Sequence, residues 1–159
     1  YAMTQNNLGN AYRILAEVEA KAESCKKAIK ACEEALKVYT LKRFPMQYAV
    51  TQNNLGNAYR TLSEVDAKAY NCTKAIKACE EALNVYTFER FSMDYAMTQN
   101  NLGNAYRTLA EVEAKADNCK KAMRAYEEAL KVFTKDEFPE TYPLVESNLR
   151  RLIDFCKSK

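Results

Sequence analysis

The sequence contains no histidine and no tryptophan, and only 3 glycines and 3 prolines in 159 residues. Without histidine, the side chain that most readily moves protons near neutral pH is missing, and most zinc ligand sets go with it. With so few breakers, a turn-rich β fold is disfavoured and long helices are expected. No glycine-rich loop is present to cradle a phosphate. A strong charge imbalance is missing too: 24 Lys and Arg stand against 21 Asp and Glu, for a net charge of +3. Both signs are interleaved, as on a solvated helical surface, and this is not a nucleic-acid footprint. No apolar run approaches the roughly 20 residues that span a bilayer, and no charged-then-apolar leader opens the chain. The chain opens on Tyr1 and not on Met, which reads as a piece of a longer polypeptide.

What is present is repetition. Thr4-Gln5-Asn6-Asn7-Leu8-Gly9-Asn10-Ala11-Tyr12-Arg13 returns unchanged as Thr51 to Arg60 and as Thr98 to Arg107, a spacing of 47 residues. The repeats are 1–47, 48–94 and 95–141, and the first two agree at 35 of 47 positions. A fixed period of this size means stacked supersecondary units, none of which buries its apolar face alone. The 6 cysteines follow the same period. Cys25, Cys72 and Cys119 are one position seen three times. Cys32 and Cys79 are another, filled by Tyr126 in the third copy, and a site that accepts Cys or Tyr is a packing site. Cys156 is in register with Leu15, Leu62 and Leu109, which reads as core. The expectation is buried free thiols in preference to disulfides, and hence a reducing compartment, the cytoplasm.

Each repeat holds two helical patterns. Leu8, Ala11, Tyr12, Leu15 and Val18 recur at three- and four-residue steps, giving a first helix from about Tyr1 to about Val18. Ser24, Asn71 and Asn118 share one position and are good N-caps, so the second helix is expected to start just after Ser24 and to run to about Thr40. Its buried stripe is Cys25, Ala28, Ile29, Cys32, Ala35, Leu36 and Tyr39, and Lys27, Lys30, Glu34 and Lys37 lie outside. Pro45 is expected to stop the chain from continuing as helix. Phe44, Phe91 and Phe138 are expected to pin that connection to the core. A fourth start at Tyr142 is edited: where Gly9, Gly56 and Gly103 stand, it has Arg150. A recurrent helical Gly signals close helix–helix approach, and its loss says that nothing packs there. Residues 142–157 therefore read as a C-terminal capping helix, with Pro143 suited to its first turn. No equivalent cap precedes Tyr1.

Leu8-Gly9 with Tyr12, followed by Ala28-Ile29, Cys32 and Ala35-Leu36, resembles the tetratricopeptide repeat. The resemblance covers the whole chain. It departs in length, since the ordinary unit is about 34 residues. The extended form is similar to the long repeats of kinesin light chain and to arrays attached to CHAT-type proteases in prokaryotes. The resemblance implies an all-α, right-handed α-solenoid: one domain over 1–159, of three helix-turn-helix repeats plus a capping helix. It also implies that the first helices line a concave groove.

On a wheel of 100° per residue, Leu8, Tyr12 and Leu15 cluster on one side of the first helix. Asn6, Asn10, Arg13 and Glu17 fall opposite, with Asn7 and Ile14 on the flank. The candidate peptide-binding face is thus Asn6, Asn7, Asn10 and Arg13; Asn53, Asn54, Asn57 and Arg60; Asn100, Asn101, Asn104 and Arg107; and, on the edited helix, Ser147, Asn148 and Arg151. An amide offers both donor and acceptor, so it matches the N–H and C=O of an extended peptide. With first helices about 10 Å apart and a strand rising about 3.3 Å per residue, each repeat could hold about three peptide residues. O-GlcNAc transferase, a relative by the same N-L-G pattern, grips peptide backbone with such a ladder; by resemblance the ladder here is Asn7, Asn54, Asn101 and Asn148. Arg13, Arg60 and Arg107 would add forks for carboxylates. A structural reading stands beside this one. The asparagines could satisfy neighbouring groups between stacked helices, and Arg13 could pair with Glu17 four residues on. Tyr12, Tyr59 and Tyr106 are expected in the core.

Two functions from different classes follow. One is a non-catalytic scaffold that binds a protein or peptide segment. The other is a structural or self-assembling array, an engineered or excised fragment associating through its uncapped N-terminal repeat. Nothing supports an enzyme, because the carboxylates recur as exposed pairs and no isolated, perturbed group suits acid–base work. No cofactor, metal, nucleic acid or membrane is expected.

Overall fold

The structure is a computed structural model that describes residues 5–8 and 21–158. Residues 5–8 are helical. Six further helices follow: α1 (Lys21–Leu36), α2 (Pro45–Ser63), α3 (Lys68–Leu83), α4 (Ser92–Ala110), α5 (Lys115–Leu130) and α6 (Tyr142–Lys157). No strand occurs among the described residues. The chain divides into two compact units, Tyr1–Val85 and Tyr86–Lys159. In the first unit α2 packs against α1 and α3; in the second, α5 packs against α4 and α6. Within each unit this is the neighbour-on-neighbour packing of a tetratricopeptide-type helical solenoid.

The second-helix stripe forms as its spacing predicts. Cys25, Ala28, Ile29, Cys32 and Ala35 are buried on α1, while Lys27, Lys30 and Lys37 stay exposed and Lys37 pairs with Glu34 at 2.6 Å. Alanine recurs where helices touch: Ala28, Ala35, Ala75, Ala82, Ala122 and Ala129 are fully buried. A side chain no larger than a methyl lets neighbouring helices approach and costs no rotamer entropy. In the first unit Leu55, Ala58 and Leu62 of α2 complete the cluster with Cys25, Ile29 and Cys32 of α1 and Ala78 of α3. In the second, Tyr126, Phe133, Val145 and Leu152 form the core with Ala96, Ala122 and Ala129. Leu8 is exposed, unlike its counterparts Leu55 and Leu102. Leu55 is covered by α1.

The element ends differ from the sequence reading. Helices α3 and α5 start three residues before the expected N-cap, and the second helices stop at Leu36, Leu83 and Leu130, short of Thr40 and its equivalents. Ala67 and Ala114 adopt left-handed backbone (φ 38° and 43°) and turn the chain so sharply that helix resumes at once. Asn71 and Asn118 are therefore inside the helix and are not N-caps. Their Nδ2 groups reach back and donate to the Asp66 and Glu113 carbonyls at 2.7 Å, tying down the turn. The N-cap position is filled by alanine, which makes no side-chain cap bond. Ser24 is likewise buried inside α1. Pro45 does not end a helix; it begins α2, where a missing N–H costs nothing. Each phenylalanine meets the aromatic ring that follows its second helix, and Phe138 packs against the core, but Phe44 is exposed, which corrects its expected place against the core. The Phe44 ring meets Tyr39 edge-on at 5.8 Å, Phe91 meets Tyr86 at 6.1 Å, and Phe138 meets Phe133 at 5.3 Å.

The glycines do what close approach requires. A Cβ at Gly103 would lie 2.7 Å from the Tyr126 ring, and one at Gly56 would lie 2.9 Å from Cys79 Sγ. Arg150, their counterpart on α6, is 73% exposed. The expectation of six free thiols is corrected. Cys119 and Cys156 form a disulfide with a Cα–Cα distance of 6.2 Å, whereas Cys25, Cys32, Cys72 and Cys79 are buried and form no disulfide. The register of Cys156 with Leu62 and Leu109 was read as core packing alone. That position faces the Cys of the helix before it, so replacing Leu by Cys brings two thiols together.

Candidate functional site

The first-helix face is built by α2 in the first unit and by α4 and α6 in the second. On α2, Thr51, Leu55, Ala58 and Leu62 are buried, which turns Asn53, Asn57 and Arg60 outward as half-buried residues. Asn54 sits at the edge of that arc and donates from Nδ2 to Asn6 Oδ1 at 3.3 Å. The second unit repeats this: Asn148 Nδ2 of α6 donates to Asn100 Oδ1 of α4, also at 3.3 Å. The amides thus pair between consecutive first helices, the Asn7-type residue of one repeat with the Asn6-type residue of the repeat before. A carboxamide has two N–H donors and an acceptor oxygen with two lone pairs, so each pair keeps hydrogen-bonding capacity in reserve and is held in a fixed orientation.

The remaining candidates separate. Asn7 is exposed and Asn6 half-buried. Asn10, Arg13 and Tyr12 lie outside the described residues. Asn101, Ser147 and Arg107 are half-buried on the same face as Asn100 and Asn148, and Arg151 is exposed there. Asn104 accepts a hydrogen bond from the buried Tyr126 hydroxyl at 2.8 Å, so it supports the core of the third repeat. The arginines are engaged by their own helix. Arg60 pairs with Glu64 at 2.9 Å and Arg107 with Glu111 at 3.7 Å. Lys21 also reaches Glu64. Burial disfavours the Glu64 carboxylate, but the Lys21 hydrogen bond and the Arg60 charge outweigh burial and hold its pKa below the usual range. A carboxylate ligand at Arg60 would have to compete with that pair.

The sequence reading missed exposed apolar residues on the first helices of each unit. Val50, Met97 and Leu144 occupy one repeat position and are exposed, Met97 at 50% and Leu144 at 67%. Met93, one turn before Met97, is 54% exposed. The signal was present: that position is Met3, Val50, Met97 and Leu144 in the four starts, apolar each time yet beside Asn10 at the edge of the polar arc of the wheel.

Tyr59 and Tyr106 pack against the cores but are only half-buried, which corrects their placement inside. The Tyr59 hydroxyl donates to Glu33 at 3.2 Å, and Lys121 lies 5.4 Å from the Tyr106 ring centre. On this side each unit has an open cleft of about 340–350 Å³, lined by Gln52, Leu55 and Tyr59 in the first and by Gln99, Leu102 and Tyr106 in the second. Tyr48 donates to Glu81 at 2.7 Å and Tyr95 to Glu128 at 2.9 Å, tying each first helix to its partner. Burial and then the acceptor carboxylate raise the pKa of both tyrosines. Among the described residues no group of three or more Cys, Asp or Glu could hold a metal ion, and no helix is long and apolar enough to cross a membrane.

Among the described residues, helices paired at a fixed period, with a small-residue seam between them and polar residues along the first helices, define a helical-repeat protein. The chain belongs to the tetratricopeptide repeat family, whose model matches residues 2–38 and 96–140. Repeats of this family generally mediate protein–protein interactions. No curated protein and no solved structure matches the chain.

Proposed function

We propose that the chain is a non-catalytic protein-binding scaffold that holds an extended partner segment on its first-helix face. One observation carries the reading: each unit presents an amide pair of the same geometry beside exposed apolar side chains on the same face. Oriented amides match a peptide backbone, and Met97 and Leu144 offer contacts to its side chains. Because the amides are already fixed by pairing, less side-chain entropy is lost on binding. The first unit would use Asn6, Asn7, Asn53, Asn54, Asn57 and Arg60, and the second Asn100, Asn101, Arg107, Ser147, Asn148 and Arg151. Four of the six cysteines are buried outside the one disulfide, which suits a reducing compartment, so the cytoplasm is proposed as its location.

A random-peptide library selected against the immobilised chain tests the proposal. Selected peptides should bind at least tenfold more weakly to a Met97→Ser, Asn101→Ala, Arg151→Ala variant whose circular dichroism is unchanged. Selection of no peptide, or affinities indifferent to the substitutions, would reject the face as a site. The amide pairs also favour a second reading, in which they serve stacking alone and the chain is a self-associating array. Light scattering that shows a strict monomer at high concentration removes that alternative.

A further inference from the structure

The end of α6 meets the start of α5 at a corner that has been rebuilt relative to the equivalent corner of the first unit. There, Lys21 pairs with Glu64, and Cys25 shares a core cluster with Leu62. At α5 and α6 the counterparts are Lys115 with Ser158 and Cys119 with Cys156. The ion pair is gone: Lys115 Nζ donates to the Ser158 carbonyl at 2.6 Å and lies 4.5 Å from the Phe155 ring centre. In place of a Cys–Leu contact there is a covalent bond. Elsewhere on α6, Val145 and Leu152 are fully enclosed, while Leu149 and Phe155 pack against the core only partly buried. Its other residues include Arg150, where the helix has given up the close glycine contact.

We propose that Cys119 and Cys156 form a redox-sensitive clasp that fastens the capping helix α6 to α5. It closes by exchange with a small-molecule disulfide of the glutathione type. Cys156 is half-buried and Cys119 buried, so Cys156 is the attacking thiol and Cys119 the resolving one. The Cys156 thiolate attacks the small disulfide, forms a mixed disulfide and expels one thiolate, which takes up the proton lost by Cys156. The Cys119 sulfur then displaces the second thiol, which leaves with the proton of Cys119. Two electrons and two protons pass from the protein to the small disulfide, which becomes two thiols. A thiol reductant reverses both steps. The four remaining cysteines are buried among apolar neighbours, which keeps the exchange to this pair. The clasp therefore sets how firmly α6, and with it the Asn148–Asn100 amide pair, stays in place. None of this depends on a partner binding to the first-helix face.

The test uses the whole chain, incubated with oxidised glutathione or with dithiothreitol and then alkylated after denaturation. The oxidised protein should take up alkyl groups at the four remaining cysteines only, and a proteolytic fragment should link Cys119 to Cys156. Hydrogen exchange of α6 amides should be at least tenfold faster in the reduced protein, with α4 amides little changed. Cys156→Leu, which restores the residue of the other repeats, should abolish the redox dependence while α6 stays protected. Alkylation of every cysteine after glutathione treatment, or equal α6 exchange in both redox states, would overturn the clasp.

Discussion

Gly103→Ala sets two opposing effects of known size against each other. In a helix interior alanine is favoured over glycine by about 1 kcal/mol. Here the new methyl would lie 2.7, 2.8 and 3.0 Å from three ring carbons of Tyr126. That ring is 0% exposed, and its hydroxyl is anchored to Asn104 Oδ1 at 2.8 Å, so it cannot swing aside without breaking a buried hydrogen bond. Overpacking of a closed site costs about 1–3 kcal/mol, and an anchored ring belongs in the upper half of that range. The net expectation is a loss of about 1–2 kcal/mol, or a fall in Tm of about 2–8 °C for a chain of this size. Gly56→Ala should lose less, because its nearest neighbour is the single sulfur of Cys79 at 2.9 Å. Arg150→Ala, at the same repeat position on the exposed side of α6, should stay within about 0.5 kcal/mol of the parent. Thermal and urea melts followed by circular dichroism measure all three. A Gly103→Ala variant that melts at or above the parent would refute the close-approach argument.

Other outcomes follow from particular contacts. Asn71→Ala or Asn118→Ala removes a 2.7 Å bond from a buried amide to the turn carbonyl, and should cost about 1–3 kcal/mol in the same melts. Ala114→Gly relieves left-handed backbone that costs an L-residue about 1–2 kcal/mol, against about 0.5–1 kcal/mol of glycine entropy. It should therefore leave stability unchanged or raise it slightly, whereas Ala114→Val should lower it. Burial, reinforced by Glu33 and Glu80 respectively, pushes the Cys32 and Cys79 thiols up to about 12. Their folded pKa lies above the unfolded value, so their contribution to stability is complete below pH 9.0 and is lost as pH rises toward about 12. Native-state alkylation at pH 8 should leave both untouched, and urea melts between pH 9 and 11 should show stability falling.

The repeat and its stripes were legible because each depends on short spacing. Ala28, Cys32 and Ala35 must share a side of any helix, and Gly56 must mark close approach wherever its helix packs. The fold class, the capping helix and the edited Arg150 therefore came from the sequence alone. Tertiary structure decided what depends on partners distant in sequence. Asn71 looked like a cap because its chemistry suits one, but the left-handed turn at Ala67 had already started the helix and left the amide to bind Asp66. Asn54 and Asn148 are equivalent by register, and only the folded chain shows that they bond to Asn6 and Asn100. The apolar residues Val50, Met97 and Leu144 were hidden among polar neighbours until exposure revealed them. The Cys119–Cys156 bond went unread because a leucine-to-cysteine change conserves hydrophobic character, whereas bond formation requires that two sulfurs 37 residues apart in sequence meet. Periodicity fixes which side of a helix a residue occupies; it does not fix which atom of another helix will face it.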